Sequence, residues 1–304
     1  MADGPQHRVD LAERIARSLG VGGEPVRHGD GWSNNVWLYD DVVIRIALRP
    51  GPGALAVEGL IAPRLPAAVG YPAVIGSGVI DGHDWMAQQR LPGDNLAARW
   101  DLLDQDQRAF AIGDLVTRLD AATRADVSGL VLPDTPLYAF DPDLVDRQLA
   151  VAGSIVGDQT IRLARRIIRA GSEAAGLVER RLVHTDAVFG NVIWTGSAAI
   201  PIDFEFGCLG PIDLDADCIG REVVARADAS AIIALSAALA PVLSRSGAAD
   251  RLRGYSVLRN IWAIGKWVDN DPGLTDAETW EPVRSLIADT EGSGWLDQLL
   301  GTVR

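Results

Sequence analysis

The first third of the chain alternates apolar and polar residues in the short period that is typical of β-strands. Strands are predicted at 25–28, 36–39, 42–46, 73–80 and 84–90. The dipeptides Asp40–Asp41 and Asp81–Gly82 are typical hairpin turns between them. Helical spacing is found at 9–20, before a Gly cap, and at 54–69. The pattern therefore predicts a strand-rich segment with a helix inserted between its strands.

After residue 93 the spacing of apolar residues is mostly helical. Helices are predicted at 101–122, 142–155, 158–180, 213–225, 229–246, 248–269 and 276–290. The exception is 191–203, where two short apolar runs flank a polar turn at Thr195–Ser197 and predict a β-hairpin. Because Leu91–Asp94 breaks the pattern between these regions, we predict an α+β fold. A small β-rich lobe would span 1–92, and a larger helical lobe would span 93–304.

Length and composition fit one or two domains with a well-buried core. The chain has 304 residues, of which 48% are hydrophobic. It contains no apolar run of the roughly 18 residues that a membrane span needs, and its N-terminus lacks the features of a signal peptide. Cys208 and Cys218 are too few for a disulfide framework. We therefore expect a cytoplasmic protein with reduced thiols and no membrane partner.

The chain is acidic, with a formal net charge of −13 and a pI near 4.7. This charge argues against a nucleic-acid partner, which requires a basic surface. It is compatible with a cationic small-molecule substrate, although many proteins are acidic simply because charge keeps them soluble. Lys266 is the single Lys among 28 basic residues, so any cationic role near the N-terminus must fall to Arg.

The segment 182–205 carries three side chains that suit phosphoryl transfer. Asp186 is followed five residues later by Asn191, and Asp203 follows the predicted hairpin. If the hairpin turns near residue 197, Asn191 and Asp203 face each other at its open end, roughly 5 Å apart. An amide oxygen and a carboxylate at that distance can share Mg²⁺. Asp186 is then free to act as the base that orients an acceptor hydroxyl.

Two neighbours of these residues are polar as well. We expect His184 to hold the loop by bonding backbone carbonyls or a nearby Asp, and not to take part in catalysis. Glu205 lies two residues after Asp203 and shares its face if the segment is extended. It could bind a second metal through water, or it could be a solvated neighbour.

The N-terminal lobe offers candidate phosphate-binding groups. The Gly-containing loop 29–35 could cradle phosphates with its backbone N–H groups and the side chains of Ser33 and Asn34, and an ordinary hairpin loop is the alternative. Arg45 lies in an apolar strand, so it must face solvent or meet a partner. It could hold phosphate oxygens while paired with Glu58, or both could be solvated surface charges.

The strand at 84–90 runs into the connector between the lobes. Its end, near Gln88 and Arg90, would expose backbone groups to which an adenine edge could bond, although no side-chain signature marks that contact. We therefore include Gln88 and Arg90 among the candidate nucleotide-binding residues.

Together these residues resemble the aminoglycoside phosphotransferase family, the antibiotic and small-molecule kinases that share the protein-kinase fold. The resemblance covers roughly residues 25–225 and is most specific over 182–215. The motifs that carry it are His184-Thr-Asp186 with Asn191, Ile202-Asp-Phe-Glu205 and Gly210-Pro-Ile-Asp-Leu-Asp215. The resemblance implies a bilobal protein-kinase-like fold, ATP or GTP as the phosphate donor, and Mg²⁺.

The resemblance also implies a role for each motif residue. Asp186 would be the catalytic base, and Asn191 and Asp203 would be the Mg²⁺ ligands. Arg45, tied to Glu58, would stand where the family has a Lys at the α/β-phosphates. Ser33 and Asn34 would lie under the phosphates.

Two departures from the family pattern bear on these roles. Arg and Lys bind phosphate with different geometries, so Arg45 could change nucleotide affinity or the choice between ATP and GTP. Thr185 stands where the family usually has Gly, and its side chain could alter the catalytic loop.

The function that these observations favour is phosphorylation of a hydroxyl on a small molecule. A cationic, aminoglycoside-like antibiotic fits the acidic composition, and a sugar or amino-alcohol metabolite fits nearly as well. Asp213, Asp217 and Glu222 are the first candidates for acceptor contacts. The sequence leaves the oligomeric state open.

Two alternatives belong to other classes. A protein kinase is disfavoured because Asp203-Phe-Glu205 replaces Asp-Phe-Gly and no Ala-Pro-Glu segment follows. A catalytically inactive nucleotide-binding module is the other alternative. The retention of Asp186, Asn191 and Asp203 argues against it.

Overall fold

The structure is a computed structural model that describes residues 5–30, 33–51, 53–132, 138, 140–176, 178–226 and 228–270. The predicted helix 276–290 and two residues of the predicted phosphate loop, Gly31 and Trp32, lie outside this part of the chain. The described residues form a small antiparallel sheet in the N-terminal region and a helical C-terminal region. This is the predicted bilobal α+β architecture.

One five-stranded antiparallel sheet forms the N-terminal lobe. Its strands are β1 (Val26–Asp30), β2 (Asn34–Leu38), β3 (Val42–Ala47), β4 (Val74–Ile80) and β5 (His83–Gln89), in the order β1-β2-β3-β5-β4. Both predicted hairpin turns are present. Tyr39 donates its N–H to the Val42 carbonyl at 2.8 Å. Asp81 and Gly82 both have positive φ, as a type I′ turn requires.

Alternation along β3 decides where Arg45 points. Ile44 and Ile46 are buried in a cluster with residues of helix α1 (Pro5–Ser18). Successive side chains of a strand point to opposite faces, so Arg45 lies on the other face. There it meets Glu58 of helix α2.

The helix predicted over 54–69 is shorter than expected. Helix α2 spans Ala54–Ile61, and two 3₁₀ turns follow at Ala62–Arg64 and Ala67–Val69. Pro63 and Pro66 explain the difference, because proline has no N–H and cannot continue an α-helical ladder.

The C-terminal lobe packs helices around the largest apolar core. Its helices are α3 (Leu96–Arg99), α4 (Gln105–Ala122), α5 (Pro142–Val156), α6 (Asp158–Ala175), α7 (Asp213–Ala225), α8 (Ala229–Leu243) and α9 (Ala248–Asn270). Helix α4 begins later than predicted because Asp104 and Gln107 form a capping box.

The short strands of this lobe position the segments of interest. They are β6 (Asp94–Asn95), β7 (Arg181–Val183), β8 (Val192–Trp194), β9 (Ala199–Pro201) and β10 (Cys208–Gly210). Strands β6, β8 and β9 form one sheet, and β7 pairs with β10. The sequence did not predict β6, β7 and β10, and it extended helix 158–180 too far, because strands of two or three residues carry little periodicity. The β7–β10 pair brings the segment after β7 close to the segment before β10.

The predicted hairpin at 191–203 is present, but its register differs from our expectation. Ile202 donates its N–H to the Asn191 carbonyl at 2.9 Å, so Asn191 lies opposite Ile202 and not opposite Asp203. Asp203 comes one residue later, with a left-handed backbone at φ +68°. The chain therefore turns at Asp203, and its side chain does not follow the strand geometry that we assumed.

No single helix in the described ranges is long and apolar enough to cross a membrane. Helices α8 and α9 meet that length and composition only as a pair that bends by 113° between them.

Gly93 sets how closely the lobe connector approaches the hairpin. Its φ is +102°, and an added Cβ would lie 2.1 Å from the Trp194 carbonyl oxygen. Gly196, in the hairpin turn, has φ +95°, but a Cβ added to it would meet no atom within 4 Å.

We expect Gly196→Ala to lower the free energy of unfolding by about 1 kcal/mol through backbone strain. Gly93→Ala should lose about 3 kcal/mol or more, because overpacking adds to the strain. Urea unfolding measures both, and equal losses would contradict the close approach.

Candidate active site

His184 and Asp215 hold the loop that follows β7. His184 Nε2 lies 2.7 Å from the Ile202 carbonyl oxygen, and its Nδ1 accepts the Asp186 N–H at 3.3 Å. Asp215 of α7 accepts the N–H groups of His184 and Thr185 at 3.2 and 2.7 Å. Burial raises the pKa of Asp215. His184 thus makes the kind of backbone contact that we expected.

Thr185 has a left-handed backbone with φ +66°. A β-branched residue is rare in that region, and the conformation costs roughly 1–2 kcal/mol. Thr185 Oγ1 donates to the Phe206 carbonyl at 2.9 Å, and the Asp215 carboxylate accepts its N–H. These bonds offset the strain, so the loop keeps a conformation that glycine would adopt more easily.

Asp186 and Asn191 are in direct contact. Asn191 Nδ2 donates to the Asp186 backbone carbonyl and to its Oδ2, each at 3.0 Å. The Asp186 side chain is 24% exposed, so a ligand can reach it. Because the amide nitrogen faces Asp186, the Asn191 Oδ1 points away from that carboxylate as a potential ligand atom.

Arg259 of α9 also bonds to Asp186, a contact that no sequence motif predicts. Its Nη2 donates to Asp186 Oδ1 at 3.0 Å, and its Nη1 donates to Tyr138 Oη at 3.0 Å and to Cys218 Sγ. Burial alone would lower the pKa of Arg259. Its neighbours Cys218, Tyr138 and Asp186 outweigh this effect and raise the pKa above the usual value for arginine, so the group stays charged. Nothing in an arginine-rich sequence marks this position.

Arg45 links the two lobes through carboxylates. Its Nη1 lies 2.5 Å from Glu58 Oε2. Its Nη2 donates to Asp203 Oδ1 and lies 3.6 Å from Glu205 Oε2. Burial alone would lower the pKa of Arg45. The charges of Asp203 and Glu58 outweigh this effect and raise the pKa above the usual value for arginine. Arg45 and Glu58 are both buried, so the alternative of two solvated surface charges is wrong.

Glu58 also holds the segment that carries Asp203. Its Oε1 accepts the Phe204 N–H at 3.0 Å and the hydroxyl of Tyr71. Tyr71 in turn accepts the side-chain amide of Gln88 at 2.7 Å. Gln88 is therefore buried behind Glu58 and supports it. Its side chain is engaged by Tyr71, whereas the nucleotide contact that we expected here involves backbone groups at the end of the strand.

Arg90 contacts the N-terminal sheet from the connector. Its N–H donates to the Asp41 carbonyl at 2.8 Å, and its Nη1 donates to the Tyr39 carbonyl at 2.9 Å. These bonds tie the connector to the turn between β2 and β3.

Ser33 and Asn34, at the start of β2, form hydrogen bonds with Glu205 of the C-terminal lobe. Ser33 Oγ donates to Glu205 Oε1 at 2.6 Å, and Asn34 Nδ2 donates to Oε2 at 2.8 Å. Glu205 is only 6% exposed, so the alternative of a solvated neighbour is wrong. Burial and the nearby charge of Asp203 raise the pKa of Glu205 to about 7.

The surroundings of Arg45 suit a divalent cation in charge and donor type. The carboxyl groups of Glu58, Asp203 and Glu205 surround this single guanidinium, so acidic groups are in excess. Asn191 and Asp203 supply hard oxygen donors of the kind that Mg²⁺ prefers. The described residues contain no cluster of three His, Cys, Asp or Glu suited to a metal. A metal here would need further oxygen ligands from water or from a bound molecule.

The acidic residues that we chose as acceptor candidates are paired with arginines. The pairs are Asp213 with Arg251, Asp217 with Arg221 at 3.2 Å and Glu222 with Arg226 at 3.0 Å. Asp213 and Asp217 are buried, and Glu222 also accepts the Phe189 N–H at 3.2 Å. These carboxylates serve the packing of α7.

Comparison with solved structures identifies the fold. A thermostable mutant of aminoglycoside phosphotransferase APH(4)-Ia, in complex with ADP and hygromycin B, is 16% identical, with a TM-score of 0.65 over 94% of this chain and 99% of that chain. A choline/ethanolamine kinase family protein from Mesorhizobium loti is 18% identical, with a TM-score of 0.65 over 97% and 99%. The GDP complex of aminoglycoside 2′-phosphotransferase-IIIa is 14% identical, with a TM-score of 0.63 over 94% and 99%.

The family comparison covers most of the chain. No curated protein matches the sequence. The model of the phosphotransferase enzyme family matches residues 25–255, a range that includes every candidate residue from Ser33 to Asp203. The neighbours have a protein-kinase-like fold, and this chain shares it. The chain belongs to the phosphotransferase enzyme family.

Proposed function

We propose that the protein is a Mg²⁺- and ATP-dependent phosphotransferase that moves the γ-phosphate to a hydroxyl of a small molecule. The observation that carries this proposal is the hydrogen bond from the Ile202 N–H to the Asn191 carbonyl at 2.9 Å, because it brings the chain at Asn191 next to the chain at Asp203. Asp186 is bonded to Asn191, and Asp203 is bonded to the Arg45 that Glu58 holds. Residues 1–92 would form the nucleotide-binding lobe, and residues 93–304 would form the acceptor-binding lobe.

Asp186 suits the role of base because its carboxylate is oriented and accessible. Asn191 and Arg259 each donate to one of its oxygens at 3.0 Å. During transfer the acceptor oxygen bonds to the γ-phosphorus while the bond to the bridging oxygen of ADP breaks, and the hydroxyl proton passes to Asp186. Positioning of the acceptor is the main contribution of such a carboxylate.

Asn191 and Asp203 would hold the metal ion. Each is oriented by a second group, Asn191 by Asp186 and Asp203 by Arg45, and such support is typical of metal ligands. A Mg²⁺ ion held by these residues would neutralise negative charge on the phosphates of the donor. It would also offset the excess of acidic groups around Arg45.

The nucleotide would lie between the sheet and the segment that carries Asp203. Arg45 would contact the α/β-phosphates, and Ser33 and Asn34 would exchange Glu205 for phosphate oxygens. Gln88 would support Glu58 through Tyr71 and would not contact the base. Two neighbours hold ADP and GDP, so we propose ATP as the donor and GTP as the alternative.

The acceptor is a separate question. The neighbours include an aminoglycoside phosphotransferase and a choline/ethanolamine kinase family protein, which favours an antibiotic or an amino alcohol by resemblance, with a sugar as a further candidate. The ion pairs of Asp213, Asp217 and Glu222 argue against a cationic acceptor. In each pair an arginine already binds the carboxylate that we expected to contact the cation.

Asp186→Asn tests the base. We expect kcat to fall at least about a hundredfold, because proton acceptance is lost. The affinity for Mg²⁺–AMP-PNP should stay within about threefold, because Asp186 is not the proposed metal ligand. An ADP-release assay with a panel of sugars, polyols and antibiotics measures turnover, and calorimetry measures binding. Asp120→Asn, in an exposed ion pair on α4, is the control. Undiminished turnover would remove Asp186 from this role, whereas binding without turnover by the unmodified protein would favour an inactive nucleotide-binding module.

Asp203→Asn tests the metal site. We expect the affinity for Mg²⁺–ATP to fall at least about tenfold, because the proposed carboxylate ligand of the metal is lost. In EDTA the difference between the two proteins should shrink, because the metal contact is then absent from both and only the ion pair with Arg45 differs. Calorimetry in both conditions separates the two effects. An unchanged affinity in Mg²⁺ would show that Asp203 is not a ligand.

A further inference from the structure

A positive charge lies beside Asp186, the carboxylate to which we assign proton acceptance. Arg259 Nη2 is 3.0 Å from Asp186 Oδ1, and the Arg259 side chain is 20% exposed. Its bonds to Tyr138 Oη and Cys218 Sγ anchor the guanidinium from the protein side. Arg259 is therefore a fixed cation beside the carboxylate to which we assign proton acceptance.

The guanidinium can serve a ligand without releasing Asp186. It carries five N–H groups in a rigid fork, and three bonds join it to Asp186, Tyr138 and Cys218. An anionic group beside the reacting hydroxyl could accept from the remaining donors. Charge-assisted bonds of this kind are about twice as strong as neutral ones.

The same surroundings disfavour a cation. The four carboxylates of α7 are all engaged, Asp215 by backbone N–H groups and the others by arginines. A cationic acceptor would have to approach Arg259 against like-charge repulsion. It would also have to displace an arginine to reach Asp213, Asp217 or Glu222.

We propose that the acceptor carries an anionic group, a carboxylate or a phosphate, close to the hydroxyl that is phosphorylated, and that Arg259 binds this group. The proposal rests on the proposed transfer at Asp186 and names the substrate class for it. Arg259 takes no part in bond making and keeps its charge throughout. The chain's net charge of −13 does not decide the matter, because the groups beside Asp186 set the local charge.

Matched acceptors test the proposal. One set is glucose, glucuronate and the glucose analogue with an amine in place of the exocyclic hydroxyl. A second set is glycerol, glycerate and aminopropanediol. Glucose phosphate forms a separate arm that distinguishes a phosphate from a carboxylate. We expect kcat/KM for the anionic member to exceed that for the amine by at least about tenfold, as complementary charge requires. A preference for the amine, or equal use of the three, would overturn the proposal while leaving phosphotransfer intact.

Variants of Arg259 separate acceptor binding from positioning of Asp186. In Arg259→Gln we expect KM for the anionic acceptor to rise at least about tenfold and its advantage over the amine to disappear, because the charge is lost. Arg259→Lys should keep part of that advantage. Arg169→Gln, on the exposed face of α6, is the control. A fall in kcat that is the same for all acceptors, with unchanged KM ratios, would reduce Arg259 to a positioning residue and overturn the proposal.

A binding measurement decides the case in which none of these compounds is phosphorylated. Thermal unfolding with Mg²⁺–AMP-PNP present would be recorded with glucuronate, glycerate, glucose phosphate and the two amines. Stabilisation of the unmodified protein by an anionic compound, absent in Arg259→Gln, supports the proposal. Stabilisation by the amines alone, by no compound, or equally in both proteins overturns it. The proposed function is judged separately by turnover with any hydroxyl compound.

Discussion

The ion cluster around Arg45 joins the N-terminal sheet to the segment that carries Asp203, and the rest of the site depends on it. Strand alternation turns Arg45 away from the core that Ile44 and Ile46 enter. It then meets Glu58 on one side and Asp203 on the other. Removing one partner of a buried ion pair typically costs about 3–5 kcal/mol, because a buried charge is left without compensation. The cluster therefore fixes where the segment around Asp203 lies relative to the sheet.

In the loops that contain Thr185 and Asp203, hydrogen bonds compensate for a strained backbone. Thr185 and Asp203 both have left-handed backbones, which non-glycine residues keep only when their surroundings compensate. Thr185 is bonded to Asp215 and Phe206, and the residue after Asp203 is bonded to Glu58. Strained backbone at these two places is consistent with a site whose geometry matters more than its local stability.

Local features of this fold could be predicted from sequence, and long-range contacts could not. The turn at Asp81–Gly82 could be predicted because these two residue types favour the positive φ angles that the turn requires. The motif spacing drew attention to Asp186. The predicted pairing of Asn191 with Asp203 was wrong by one residue, because no sequence signal marks the left-handed backbone at Asp203. Arg259 lies 73 residues from Asp186, so only packing of the last described helix could reveal it. Short strands such as β7 and β10 were not predicted, because three residues are too few to show a periodic pattern.

A double-mutant cycle between Arg45 and Asp203 tests the central claim most directly. The free energy of unfolding would be measured without nucleotide for Arg45→Gln, Asp203→Asn and the double variant, with Glu179→Gln, in an exposed ion pair, as a reference for charge loss. If Arg45 joins the sheet to the segment that carries Asp203, the two substitutions should be non-additive by at least about 1 kcal/mol, as expected for residues in one ionic network. Additive effects would mean that the cluster does not hold the lobes together.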